Sequence, residues 1–186
     1  MTTQASPRER ILGATSALFY RQGIQATGVE ELAEAAAVSK RTLYKLFGSK
    51  DNLVTAYLEQ LTTRSLGNEA GLARADLSAR DRLIALFDRP DQALGFRGCP
   101  LHNAAVELAE ANQAAHAVIH RHKLDFLRHL TETAREAGAA DPDELGRQLF
   151  VLFEGSMALA TSLDDDAAFD YARPAALNLI ATATGS

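Results

Sequence analysis

The sequence predicts an all-α fold of about nine helices, on three observations. Apolar residues recur at i, i+3 and i+4 along most of its length, the spacing of a helix with one buried face. Many of these stretches open on Ser or Asp, or close on Gly. Ser and Asp satisfy the free N–H groups of a first turn, and Gly tolerates the backbone of a helix end. Alanine is abundant and aromatic residues make up only 6%, which favours helix, and no strand pattern or long repeat interrupts the series.

Size and composition bound the class. The 186 residues suffice for one domain, or for one small and one medium domain. At 47% hydrophobic and 23% charged, the chain has an ordinary globular composition. It has no run of about 18 apolar residues, so no membrane span is expected. Its start has no apolar signal core, so a cytoplasmic location is expected. The single cysteine, Cys99, excludes an intrachain disulfide framework and a thiolate zinc cluster.

Taken in order, residues 1–6 are a polar tail and Pro7 suits a first helical turn. From 8 to 21, Ile11, Leu12, Ala14, Leu18 and Phe19 form an apolar stripe, which Gly23 ends. A second, short helix covers 29–36, with Val29, Leu32, Ala33 and Ala36 on one face. Thr27 and Glu30 have capping-box spacing before it. A third covers 38–47 under a Ser39 cap, with Leu43, Leu46 and Phe47 expected inward. Its other face holds Lys40, Arg41, Thr42, Tyr44 and Lys45. Gly48 breaks the chain, Ser49 caps a fourth helix, and Leu53, Val54, Tyr57, Leu58 and Leu61 carry it to about 65.

The remainder reads as a less periodic loop or frayed helix end over 66–77, then a helix over 79–88 with Leu83, Ile84, Leu86 and Phe87. A loop around Pro90 and Gly95 precedes a helix opening at 98–105. A long helix over 113–137 has Val118, Leu124, Leu127, Leu130 and Ala134 as apolar positions, and Gly138 ends it. Asp141 and Pro142 open the next, to about 162, and Asp164, Asp165 and Asp166 form a turn. The last helix covers 167–182, with Pro174 either in a kink or near a later start at Arg173. Small residues mark these two helices, including Gly155, Ser156, Ala158, Ala160, Ala172, Ala175 and Ala176. They allow close approach, either within the monomer core or between two copies.

Two short helices joined by a tight turn, the second apolar on one side and cationic on the other, make a helix-turn-helix. In that motif the second helix lies in the major groove of DNA and the first braces it. Cations and hydroxyls are the groups that bond phosphate oxygens and base edges. The net charge of −5 is unevenly spread: residues 1–60 carry 7 basic and 6 acidic side chains, and residues 61–186 carry 12 and 18. The acidic excess lies away from the cationic helix in sequence, which leaves a local basic patch intact.

Residues 8 to about 58 resemble the N-terminal domain of the TetR family of transcriptional regulators. The likeness rests on Ile11, Ala14, Leu18, Phe19, Gly23, Thr27, Glu31, Leu32, Ala33, Val38, Ser39, Lys40, Thr42, Leu43, Tyr44 and the run from Phe47 to Leu53. Two positions depart from the family pattern: Ala37 stands where Gly is usual, and Gly28 where Ser or Thr is frequent. The resemblance implies a DNA-binding head over 1–50 and an effector-binding, dimerising body over 51–186. It also implies a homodimer formed by the last two helices, a pseudo-palindromic double-stranded operator, and repression relieved by a small-molecule effector of unknown identity.

Thr27, Ser39, Lys40, Arg41, Thr42, Tyr44, Lys45 and Lys50 are the candidate DNA contacts, with Arg41 and Thr42 the candidates for base edges. Phe87, Cys99, His102, Asn103, Phe126, Phe153 and Met157 are candidate ligand-binding residues, and Phe96 and Phe150 could line the same cavity. For Cys99 the alternative is a thiol that senses oxidants or electrophiles; a buried small hydrophobe is the plainer reading. His116 and His120 share a helical face, but no acidic partner stands at a telling offset and no metal is expected. No cofactor is expected. No nucleophile triad, phosphate-cradling glycine loop or carboxylate pair stands out, so the chain is not read as an enzyme.

Overall fold

The computed structural model describes residues 5–63, 67–90, 96–108, 112–163 and 165–185. Among these it has nine α-helices, one short 3-10 helix and no strand. The expected tail at 1–4, the end of the fourth helix beyond 63, Gly95 and Asp164 lie outside the described residues. The helices are α1 (Pro7–Gln22), α2 (Val29–Ala35), α3 (Lys40–Phe47), α4 (Lys50–Thr62), α5 (Ala79–Ala85), α6 (Pro100–Leu108), α7 (Gln113–Glu136), α8 (Pro142–Leu163) and α9 (Ala168–Thr184). The 3-10 helix Gly67–Ala73 occupies much of the stretch expected to be a loop or frayed helix end.

Side-chain caps set several starts. Ser39 accepts from Thr42 N at 3.0 Å, Ser49 from Asn52 N at 3.1 Å and Ser78 from Asp81 N at 3.1 Å. Asp141 Oδ1 accepts from Glu144 N at 2.9 Å before α8. Ser6 falls in the stretch expected to be a polar tail. It instead closes a capping box, with its hydroxyl accepting from Glu9 N and the Glu9 carboxylate accepting from Ser6 N. At α2 the expected capping box is absent. The cap is Gly28, without a side-chain bond, and Glu30 pairs with Lys40 instead.

Two compact units result. One comprises 1–64 with 100–120, the other 65–99 with 121–186. In the first, Ile11, Leu12, Leu18 and Phe19 of α1 are buried, as are Leu32 and Ala33 of α2, Leu43 and Phe47 of α3, and Leu53, Val54, Tyr57 and Leu58 of α4. Phe19 and Tyr57 meet edge to face, with ring centroids 5.4 Å apart.

The core of the second unit is aromatic. Phe153 lies edge-on to Phe87, Phe126 and Phe169, at centroid distances of 6.2, 5.4 and 6.3 Å. Gly146 of α8 lies where an added Cβ would be 2.6 Å from Thr131 Oγ1 and 3.1 Å from Thr131 backbone atoms, so its missing side chain permits the approach of α7. Helix α9 starts at Ala168 and contains Pro174 in its interior. Leu124, an expected apolar position of α7, is 54% exposed. Val151, Leu159 and Leu163 of α8 and Tyr171 of α9 are 51–70% exposed.

Candidate nucleic-acid interface

Helix α3 is built as a rigid two-faced rod. The Ser39 hydroxyl bonds Thr42 N and lies 2.8 Å from Thr42 Oγ1, which fixes the first turn. Residues advance by about 100° each along an α-helix. Fully buried Leu43 and buried Phe47 therefore define the inward direction, and Arg41 and Lys45 point away from it. Arg41, Tyr44 and Lys45 are exposed and Thr42 is half-buried. Leu46 corrects the expectation: it is 43% exposed, because it falls to the side of the Leu43–Phe47 line. The Arg8 guanidinium from α1 stands 5.5 Å from the Phe47 ring centre, a cation–π contact that the sequence pattern does not reveal.

The remaining expected contacts divide. Lys40 is exposed and ion-paired to Glu30 of α2. That hydrogen bond lowers the Glu30 pKa and raises the Lys40 pKa. Lys50 Nζ donates to the Ile24 carbonyl at 2.7 Å, so this ammonium bridges the start of α4 and the α1–α2 turn. Thr27 is 1% exposed and its hydroxyl donates to the Gly23 carbonyl at 2.7 Å. Its expected role as a surface contact is therefore corrected to a turn-holding one.

The turns on either side of α2 differ in strain. Ala37 adopts φ 51, the left-handed region in which a Cβ crowds the carbonyl. The backbone compensates locally: Ala37 N donates to Glu34 O and Val38 N to Ala33 O, both at 2.9 Å. Gly23 has φ 92, and a Cβ there would come within 2.9 Å of the Glu107 carboxylate of α6. That carboxylate accepts from Ile24 N at 2.6 Å and Gln25 N at 3.0 Å. No local pattern in the sequence pairs residues 83 positions apart.

The expected ligand-binding residues are not gathered in one unit. Phe87, Cys99, Phe126, Phe153 and Met157 belong to the second compact unit, and His102 and Asn103 to the first. Phe87, Phe126 and Phe153 are buried in the packed core, with Met157 partly buried against it. His102 is exposed and Asn103 half-buried. Cys99 is 4% exposed, with Lys123 Nζ 3.6 Å from its sulfur and 2.5 Å from Glu154 Oε1. Beside Lys123 in sequence, His122 Nε2 is 3.0 Å from Glu69 Oε2. Burial pulls the Lys123 pKa down, but the Cys99 sulfur and the Glu154 and Glu69 carboxylates outweigh it and the net shift is upward.

Comparison with known proteins gives two family matches. Residues 11–57 match the model for bacterial regulatory proteins of the tetR family, and residues 79–176 match the tetracyclin repressor-like C-terminal domain. An uncharacterised HTH-type transcriptional regulator of Mycobacterium tuberculosis H37Rv is 41% identical over 69 residues, covering 37% of this chain and 34% of that protein. The HTH-type transcriptional repressor KstR2 of Rhodococcus jostii is 29% identical over 87 residues, covering 47% of this chain and 43% of the repressor. These matches thus span less than half the length of either relative. Solved structures match over nearly the whole chain. A putative tetr-transcriptional regulator of Streptomyces avermitilis is 36% identical, with TM-score 0.83 and coverage of 96% of this chain and 98% of that one. A TetR-family regulator of Streptomyces coelicolor is 27% identical, with TM-score 0.84 and coverage of 98% and 92%.

Proposed function

Because the chain belongs to the TetR family of DNA-binding transcriptional regulators, we propose that it is a homodimeric, ligand-responsive repressor of a pseudo-palindromic operator. The observation that carries this reading is α3: a capped helix, clamped on one side by Leu43 and Phe47, with Arg41, Tyr44 and Lys45 exposed on the others. Residues 1–50 form the DNA-binding part and residues 51–186 the effector-binding and dimerising part. Arg41 and Thr42 read base edges, while Lys40, Tyr44 and Lys45 neutralise or bond phosphates. Lys40 exchanges Glu30 for phosphate, and Lys50 exchanges the Ile24 carbonyl for phosphate.

Two copies join through the exposed apolar residues of α8 and α9, which places two heads on a dyad. A small effector bound in the second unit, among Phe87, Cys99, Phe126, Phe153 and Met157, favours the state whose heads misfit the two half-sites. Such an effector shifts the population only through its different affinities for the two states. A regulator of this kind acts in the cytoplasm and catalyses no reaction. Among the described residues, no helix is long and apolar enough to cross a membrane.

The test is binding to duplexes selected from a randomised library, followed over a range of salt. The double variant Tyr44→Phe with Lys45→Ala is expected to weaken binding at least tenfold and to lower the salt slope by about 1, the contribution of one phosphate contact. Equal affinity of variant and wild type would remove α3 from the interface. A second reading, response to electrophiles through Cys99, is favoured by the Lys123 ammonium beside its sulfur, because a cation favours thiolate. It requires that Cys99→Ser lose a release from DNA that a quinone or peroxide produces in the wild type.

A further inference from the structure

Glu107 lies near the end of α6. Its Oε2 accepts from two consecutive backbone amides, Ile24 N and Gln25 N, in the turn between α1 and α2. Its backbone carbonyl accepts from Gln25 Nε2 at 3.5 Å. Ile24 itself is buried, and a carboxylate bound to backbone N–H groups is a charge-assisted contact. The carboxylate fits because residue 23 is Gly: a Cβ there would meet Glu107 Oε2 at 2.9 Å. The same turn is held from its other side, where Lys50 donates to the Ile24 carbonyl. A second tie follows along the chain, where buried Asn112 caps α7 by accepting from Ala115 N and donates from Nδ2 to the Asp51 carbonyl at the start of α4.

We propose that Glu107 is a positioning residue for DNA binding, which from α6 fixes the α1–α2 turn and thereby the direction in which α3 is presented. This rests on the reading of residues 1–50, with α1 to α3, as the DNA-binding head of a dimer. The turn leads within a few residues into α2, and α2 is tied to the segment entering α3 where Val38 N donates to the Ala33 carbonyl, a bond that remains when Lys40 leaves Glu30 for phosphate. The hydrogen bonds of Glu107 go to Ile24 and Gln25, before α2, so its effect on DNA binding runs through this path. A displacement of α6 draws the turn with it, and α6 follows directly on Cys99 in the sequence. Loss of the carboxylate frees the turn, widens the range of head directions, and weakens discrimination between half-site spacings.

The experiment uses the full-length protein and duplexes selected by the wild type from a randomised library, rebuilt with one base pair inserted between the half-sites. The wild type is expected to lose roughly tenfold in affinity on insertion. Glu107→Ala is expected to lose no more than about threefold, and Glu107→Gln, which keeps one accepting oxygen, to fall between. Hydrogen exchange at the amides of Ile24 and Gln25 is expected to quicken about tenfold or more in Glu107→Ala. Leu83→Ala, a core change in the other compact unit, serves as a control for lost stability and is expected to keep the spacing discrimination. Wild-type discrimination in Glu107→Ala, unchanged exchange at both amides, or the same relaxation in the control would overturn the proposal. If the wild type selects no duplex, the DNA-binding reading falls and the positioning role with it, while the amide exchange still reports whether the hook exists.

Discussion

At the scale of single residues, two positions carry a conflict that can be measured. Ala37 is the one non-glycine residue with positive φ among those described, and the left-handed backbone costs an L-residue about 1–2 kcal/mol. Glycine avoids that crowding but gives the unfolded chain more freedom, which returns part of the gain. Ala37→Gly is therefore expected to stabilise the protein by about 0.5–1 kcal/mol, read as a rise in the denaturation midpoint at unchanged slope. The second conflict is Lys123, an ammonium mostly removed from water and held by Cys99 and Glu154. Its pKa lies above the ordinary lysine value of 10.5. A raised lysine pKa gives stability that is full below the unfolded value and is lost as pH rises through the folded one. Unfolding free energy is thus expected to fall as pH rises beyond the ordinary lysine range, and to fall less in Lys123→Met. Parallel pH profiles for the two proteins would show that the ion pair contributes nothing.

At the scale of elements, the helix starts were mostly legible and the helix faces only partly. Ser39 and Ser49 announce α3 and α4 because a hydroxyl cap acts within three residues. Leu46 misled because an eight-residue helix is too short for its apolar stripe to fix its rotation; the packing of Leu43 and Phe47 decides it. Thr27 misled for a related reason. Its hydroxyl had two local uses, and the path of the turn gave it to the Gly23 carbonyl rather than to a cap. The approach of α7 to α8 offers a clean test, because Gly146 leaves no room for a Cβ against Thr131. Gly146→Ala is expected to destabilise the protein by roughly 1–3 kcal/mol, through overpacking that backbone cannot relieve. A loss below about 0.5 kcal/mol, within the range of a surface substitution, would mean that the helices can separate without cost.

At the scale of the whole molecule, α8 and α9 leave large apolar side chains exposed, Val151, Leu159, Leu163 and Tyr171. Val151 and Leu159 are two turns apart on one face of α8, with the small Gly155 between them. Burying them between two copies would remove apolar area from water at about 25 cal/mol per Å². Leu159→Glu is expected to convert a dimer to monomers in analytical ultracentrifugation, and to reduce operator affinity because two linked heads no longer bind together. A protein that sediments as a monomer before the change would overturn the dimer itself.

The sequence by itself determined the helix class, the placement of a helix-turn-helix near the start, and the cationic character of α3. Each of these depends on residues a few positions apart, through capping, periodicity or local charge. Only the tertiary structure decided what Thr27, Leu46 and Lys50 do, which aromatic residues pack around Phe153, that Lys123 bonds both the only thiol and Glu154, and that Glu107 closes the α1–α2 turn. The reason is physical. A buried donor donates to whichever oxygen the packed chain brings to it, and the partner's distance along the sequence leaves no periodic trace.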